Sequence, residues 1–481
     1  MSVADKELEA TLQKLECPFT WDISKNNIKD LANLPEKLLH QVKFGPRRYH
    51  AAYLNILAFM TDLQGNGKQA LEFLLQAEKV LEEDKQADTM FLVNYANFAW
   101  VHYHLGNLTD VRVYLGKLEK ICKGIEGSSQ YSCSLPAVEG EKGLTFLRLG
   151  AQFYERSKLS FRKAIEGEPD NVLYNTGYAV VLYRLEGMRP ETDVSPEKSE
   201  AVIQLRRALQ LEPSDAELMV LLALKLQKSN KHESLMLINN ALRLSPDVPQ
   251  VTRYVAKYLR IQGSVDKSLE ILRKAVEVSP KSSFLYHQIG LCHKLQLNQM
   301  FQAEKTGKFR VPVAQKRAKA AECIHSFKKA VEVKPSNEYA KINLAEALGE
   351  NHQLAEAEEI FQEVLKNESL LDSDRQFCHL SYGMFLFYKM KDDEQAVAQF
   401  KSAYCVPGQS TRREQVGKQL RKIAQKWINT KWRVQEAYEL LDFMSAEDKQ
   451  DRLGEENMRT SDELNPEVND ISASFEKMRS K

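Results

Sequence analysis

Residues 54–81 read LNILAFMTDLQGNGKQALEFLLQAEKVL. Ala58 follows Leu57 in the middle of one apolar-periodic segment, Gly65 marks a turn, and Ala70, Leu74 and Ala77 recur at intervals of four and three on a second segment. Residues spaced this way share one helical face. The stretch therefore reads as two helices joined by a glycine turn, with small residues where the helices cross and large ones filling the space beside them. That is the layout of a tetratricopeptide repeat.

The layout recurs along the chain. A second unit carries Tyr95, Phe98, Ala99, Gly106 and Leu115; a third, Ser157, Phe161, Ala164 and Pro169; a fourth, Ala201, Leu205, Ala208 and Pro213. Leu222, Ala223, Ser234, Ile238, Ala241 and Pro246 mark the fifth. The sixth has Val255, Ala256, Gly263, Ser268, Leu272, Ala275 and Pro280. Ile289, Gly290, Cys323, Phe327, Ala330 and Pro335 give the seventh, Leu344, Ala345, Ala357 and Phe361 the eighth, and Gly383, Met384, Ala396, Phe400 and Ala403 the ninth. A polar insertion (188–200) splits the fourth unit and a basic one, NQMFQAEKTGKFRVPVAQKRAK (298–319), splits the seventh. The expected fold is all-α, a helical solenoid with a basic inner groove.

Five segments are expected. Residues 1–50 form an N-terminal helical cap, 51–245 the N-terminal repeats, and 246–405 the central and C-terminal repeats. Residues 406–445 form basic helices, with eight Lys/Arg and one Glu between Thr411 and Arg433. Residues 446–481 turn acidic, with ten Asp/Glu against six Lys/Arg, and lose helical periodicity after about Leu453, which reads as a flexible tail.

The chain has 481 residues and a net charge of +1, so attraction to a polyanion must come from a local surface rather than from bulk charge. Seven scattered cysteines without a CxxC pair point to reduced thiols and away from structural zinc. No apolar signal region, membrane-length run or lipidation motif stands out, and a cytoplasmic location is expected. Enzyme signatures are missing: GNGK (65–68) is too short for a phosphate loop, and there is no HExxH or GxSxG. His102 and His104 lack further ligands at a supporting spacing for a metal. A non-enzymatic protein needing no cofactor is expected.

One local surface does stand out. Within RYVAKYLR (253–260), Arg253, Lys257 and Arg260 lie at i, i+4 and i+7 and share one face. A charged helical stripe is most often a solvated face. Here the repeat phase assigns Thr252, Val255, Ala256 and Leu259 to packing, which turns the three cations toward the concave groove, beside His287 and Gln288 of the next unit. Nucleic acid would suit such a groove, with cations on phosphates and aromatic rings on bases at about 1–3 kcal/mol per stacked base. An acidic peptide would suit the same cations, and composition does not separate the two.

Over nearly all of residues 5–440 the chain resembles the interferon-induced proteins with tetratricopeptide repeats. The resemblance rests on LECPFTW (15–21), NFAWVHYHLG (97–106), YRLEG (183–187), LLALKLQ (221–227), RYVAKYLR (253–260) and HQIGLC (287–292). It implies an antiviral, interferon-induced innate-immune effector that binds the 5′ end of foreign single-stranded RNA. The 5′ end would be a triphosphate or a cap lacking 2′-O-methylation, and the RNA would be sequestered or its translation blocked.

On the same resemblance, Lys37 and Gln41 lie near the 5′ phosphates, Arg184 is the main phosphate clamp, and Arg253, Lys257 and Arg260 complete the basic wall. Arg148, Tyr154, Tyr254, His287 and Gln288 contact the first nucleotides. A Mg2+ ion could bridge RNA phosphates; neither DNA nor membrane is an expected partner. Two features depart from the family. Leu144 stands where cap-binding members carry a stacking Trp, and the C-terminal end looks like that of shorter members, some of which dimerise by exchanging helices and favour AU-rich RNA. The alternative is an interaction scaffold that binds a second copy, a family relative or an innate-signalling partner.

Overall fold

The computed structural model describes residues 3–463 apart from 29–30, 32–33, 134, 189–194, 308–309, 369 and 407–409, and every regular element among them is helical. The chain is an all-α tetratricopeptide solenoid with two compact units, the first taking in most of the chain through Cys292 and the second most of it from His293.

In the first unit the pairs His50–Leu63 with Gly67–Glu83, Leu92–His104 with Leu108–Cys122, and Pro136–Leu149 with Tyr154–Gly167 follow one another. Val172–Met188 with Glu200–Leu211, Ala216–Leu226 with Lys231–Leu244, and Pro249–Ile261 with Val265–Val278 continue the series. The second unit contains Glu338–Glu350 with Leu354–Leu365, Asp372–Phe385 with Asp393–Tyr404, and Thr411–Asn429 with Val434–Glu463.

The repeat residues do what their sizes dictate. Ala58, Ala70, Leu74, Phe98 and Val101 form one buried cluster across two consecutive pairs. In three of the pairs the turn takes a left-handed residue, supplied by Gly65, Gly106 and Gly263 at φ +84°, +77° and +83°. Where a serine holds the first packing position of a second helix, its hydroxyl is consumed inside the pair. Ser157, Ser234 and Ser268 donate through Oγ to the carbonyls of Gly143, Ala223 and Ala256, each at 2.7 Å. This lets a polar residue sit fully buried at the crossing without an orphan group.

Close approach is tightest around Phe161. A Cβ added to Gly177 would lie 2.2 Å from its Cζ, and one added to Gly143 would lie 2.9 Å from its Cγ. Glycine is required at both positions by contact with the ring, not by backbone angle.

Two segments differ from expectation. The basic insertion at 298–319 largely extends the neighbouring helices, Ser283–Lys305 and Val313–Val333, with Lys316 Nζ 2.8 Å from Glu304 Oε2. The last helix, Val434–Glu463, runs ten residues past Leu453, through GEENMRTSDE (454–463), where Met458 is the one large apolar residue and no apolar period can be read. Residues 464–481 of the expected tail lie outside the described residues. The basic helix Thr411–Asn429 forms as read, burying Val416, Leu420, Ile423, Ala424 and Trp427 at helical spacing. All seven cysteines are free, and no described helix is long and apolar enough to cross a membrane.

Candidate nucleic-acid interface

The helix Pro249–Ile261 begins with proline at its first turn, where a missing N–H costs nothing. Thr252, Val255 and Ala256 are buried and Leu259 half-buried, while Arg253, Lys257 and Arg260 are half-buried on another face. Arg253 lies over the Tyr254 ring, 4.7 Å from its centroid, and 5.7 Å from that of Phe284. Arg260 Nη2 donates to Gln288 Oε1 at 3.3 Å.

Two further arginines arrive from earlier repeats. Arg184, on Val172–Met188, donates through Nη1 to the Tyr154 hydroxyl at 2.7 Å and sits over that ring. Arg148, on Pro136–Leu149, donates through Nη2 to the Tyr53 hydroxyl at 2.6 Å, with its guanidinium 5.1 Å from the ring centroid.

Electrostatics joins these pairs into one cluster. Tyr154 beside it, against the pull of burial, holds the Arg184 guanidinium above its ordinary pKa, and Tyr254 and Glu217 add to the effect. Burial pushes the Tyr254 phenol up, yet Arg253, Arg184 and Lys257 together hold it below its ordinary value. Burial also presses the Lys257 ammonium and the Arg260 guanidinium down, and Arg260 and Lys225 add to the effect at Lys257. Residues from 53 to 260 in sequence thus share one field.

The choice of partners matters most. Elsewhere in the unit cations meet carboxylates, as in Arg206 with Glu233 at 2.6 Å and Arg47 with Glu83 and Asp84 at 2.7 Å each. In the cluster they meet phenols, ring faces and an amide, all neutral. Glu217, on Ala216–Leu226, is the carboxylate brought close, its Oε1 4.0 Å from Arg253 Nη2. Moreover, the Nε atoms of Arg148, Arg253 and Arg260 are buried with no hydrogen-bond partner among the described residues. Orphaned donors of this kind cost about 1–3 kcal/mol each, more when charged. A ligand rich in acceptor oxygens and negative charge, such as phosphate, suits the uncommitted charge and the remaining donors of the half-buried guanidinium groups.

Lys37 and Gln41 stand one turn apart on Leu34–Phe44, Lys37 exposed and Gln41 half-buried. Glu36 on that helix lies 3.5 Å from Lys281, just before the helix Ser283–Lys305 that carries His287 and Gln288. Through Glu36 the helix that carries Lys37 and Gln41 thus meets the turn before the repeat following RYVAKYLR. His287 is half-buried and Gln288 buried.

Three participants escaped sequence reasoning: Tyr53, Phe284 and Glu217. Tyr53 precedes a run of packing residues and reads as core. Glu217 sits in the first turn of its helix, where an acid complements the helix dipole and needs no other explanation. Leu144 is 1% exposed and belongs to the core. His104 Nδ1 lies 2.6 Å from Asp62 Oδ2 and His102 3.5 Å from Asp110. No group of three or more His, Cys, Asp or Glu among the described residues is arranged to hold a metal ion.

No protein-family model matches the chain. It is 35% identical over 447 residues to the human antiviral innate immune response effector IFIT1, covering 92% of each chain. It is 36% identical to the human protein IFIT1 homolog B, covering 91% of this chain and 92% of that one. Among solved structures, a monomeric IFIT1 mutant with Gppp-AAAA superposes with a TM-score of 0.84 at 33% identity, covering 95% of this chain and all of that one. A human IFIT1 dimer with PPP-AAAA gives 0.81 at 32% identity, covering 92% and 96%. Identity of this order along the whole length, with the same fold, makes the chain a member of the interferon-induced proteins with tetratricopeptide repeats.

Proposed function

We propose that this chain is a non-enzymatic antiviral RNA-binding protein that holds the 5′ end of foreign single-stranded RNA, a triphosphate in the first instance, and so sequesters it or blocks its translation. The observation that carries the reading is a half-buried cluster of four arginines and a lysine whose partners among the described residues are mostly neutral. Arg184 and Arg253 are the central phosphate ligands, with Lys257, Arg260, Lys37 and Gln41 around them. Arg148, Tyr154, Tyr254, His287 and Gln288 receive the first nucleotides. Mg2+ bridging the phosphates fits this scheme without a protein metal site, and the place of action is the cytoplasm. The relatives solved with PPP-AAAA and Gppp-AAAA support the ligand class.

The test is a titration of purified protein with RNAs identical except at the 5′ end. Triphosphate RNA binds at least tenfold more tightly than 5′-hydroxyl RNA, with an affinity that falls as salt rises. Equal affinity for both ends refutes the terminal-phosphate reading. Self-association is a second reading, favoured by the dimeric relatives. A single sedimenting species at monomer mass across concentration would remove it.

A further inference from the structure

Building on the phosphate reading, we propose that Glu217 is a specificity-determining residue: a resident anion in the cationic cluster that sets how strongly the site discriminates 5′ ends by their charge. The other polar side chains described in the cluster offer hydrogens. Arg148 donates to Tyr53, Arg184 to Tyr154 and Arg260 to Gln288, and Lys257 brings a further ammonium. A carboxylate offers only acceptors, as a phosphate does. It therefore competes with a phosphate for the same donors instead of helping to hold it.

Its geometry fits that role. Glu217 Oε1 stands 4.0 Å from Arg253 Nη2, beyond hydrogen-bond reach, and the two side chains retain 28% and 27% exposure. Among the described residues nothing donates a hydrogen bond to the Glu217 carboxylate, whereas the neighbouring Asp215 caps the same helix through the Leu218 amide at 3.0 Å. Glu217 also acts electrostatically on Arg184, Tyr254 and Tyr53, so it addresses the whole cluster and not Arg253 alone. A tight bidentate pair would tie Arg253 down. A loose one softens the repulsion among the cations while leaving their donors open to an incoming anion. The carboxylate then lowers affinity for each phosphate charge it faces, most for the most highly charged end.

At roughly 8 Å and an effective dielectric near 20, screened at physiological salt, one such unit of repulsion weakens binding roughly three- to thirtyfold. The experiment compares wild type and Glu217→Gln for binding to RNAs bearing 5′-triphosphate, 5′-monophosphate or 5′-hydroxyl at fixed ionic strength. Glu217→Gln is expected to bind triphosphate RNA at least about threefold more tightly, each further phosphate charge within reach adding to the gain. The gain is smaller for monophosphate and absent for hydroxyl, and Glu217→Ala shows the same order. Circular dichroism confirms that both variants remain folded. Unchanged or weaker triphosphate binding by both variants, while wild type still separates triphosphate from hydroxyl, overturns the proposal alone; it would mean that Glu217 holds a ligand donor or faces away. If no protein separates the two ends, the phosphate reading fails and the proposal falls with it.

Discussion

Replacing Glu141 by glutamine should remove a defined part of the protein's pH-dependent stability. Glu141 is 9% exposed on Pro136–Leu149, the helix that carries Arg148 two turns further on. Its Oε1 accepts from Asn55 Nδ2 at 2.8 Å, and Asn55 Oδ1 in turn accepts from Asn94 Nδ2 at 2.8 Å. Burial lifts the carboxyl from 4.5 to about 7, against the opposing bond from Asn55. The folded chain therefore binds this proton more tightly than the unfolded chain does. The associated stability is fully present below pH 4.5 and is lost as pH rises through about 7. At 1.36 kcal/mol per pKa unit the loss is about 3 kcal/mol. Glutamine keeps the Oε1 acceptor and never ionises. Urea unfolding followed by circular dichroism should show the two proteins nearly equal at pH 4, and the glutamine variant ahead by up to about 3 kcal/mol at pH 8. A difference that stays constant across that range would refute the reasoning, because the carboxyl would then titrate alike in both states.

Arg184→Met should weaken triphosphate RNA at least tenfold and shrink the log–log salt slope by about 0.7, the share of one phosphate contact on a single strand. Arg206→Met, which removes a surface partner of Glu233, should leave both unchanged. Retained binding in the first variant would place the site elsewhere. Gly177→Ala would set a methyl 2.2 Å from the Phe161 ring and should lower stability by about 1–3 kcal/mol, read from thermal melts; an unshifted melt would contradict the packing. Leu144→Trp should cost a similar amount by overpacking a core position and should not create a preference for capped RNA. A gain of cap selectivity would show that the side chain reaches the ligand.

The repeat was legible because its signal is local. Gly65 needs a left-handed turn and Ala70 a close crossing, and each requirement is met within a few residues of its cause. The inward face of RYVAKYLR was legible for the same reason, since one helix's period decides which side Val255 and Ala256 bury. The extra turns after Leu453 were hidden because residues 454–463 hold one large apolar residue, Met458, and so no apolar period to read. What the cations pair with was hidden for a different reason. Tyr53 and Arg148 are 95 residues apart, and Tyr154 and Arg184 are 30 apart. Nothing at either position announces the other.

That hidden half decides the chemistry. Four arginines and a lysine do not by themselves make an anion site, because carboxylates opposite them would close it. Arg206 illustrates this, with both terminal nitrogens spent on Glu233 at 2.6 and 2.9 Å. A phenol accepts one hydrogen, orients the guanidinium, and leaves its charge and remaining donors uncommitted. The capacity for phosphate therefore lies in the identity of the partners more than in the number of cations. On that argument Tyr154 is as much a determinant of affinity as Arg184, and Glu217, the acid set just too far away to form a tight pair, determines how much of that capacity is held back.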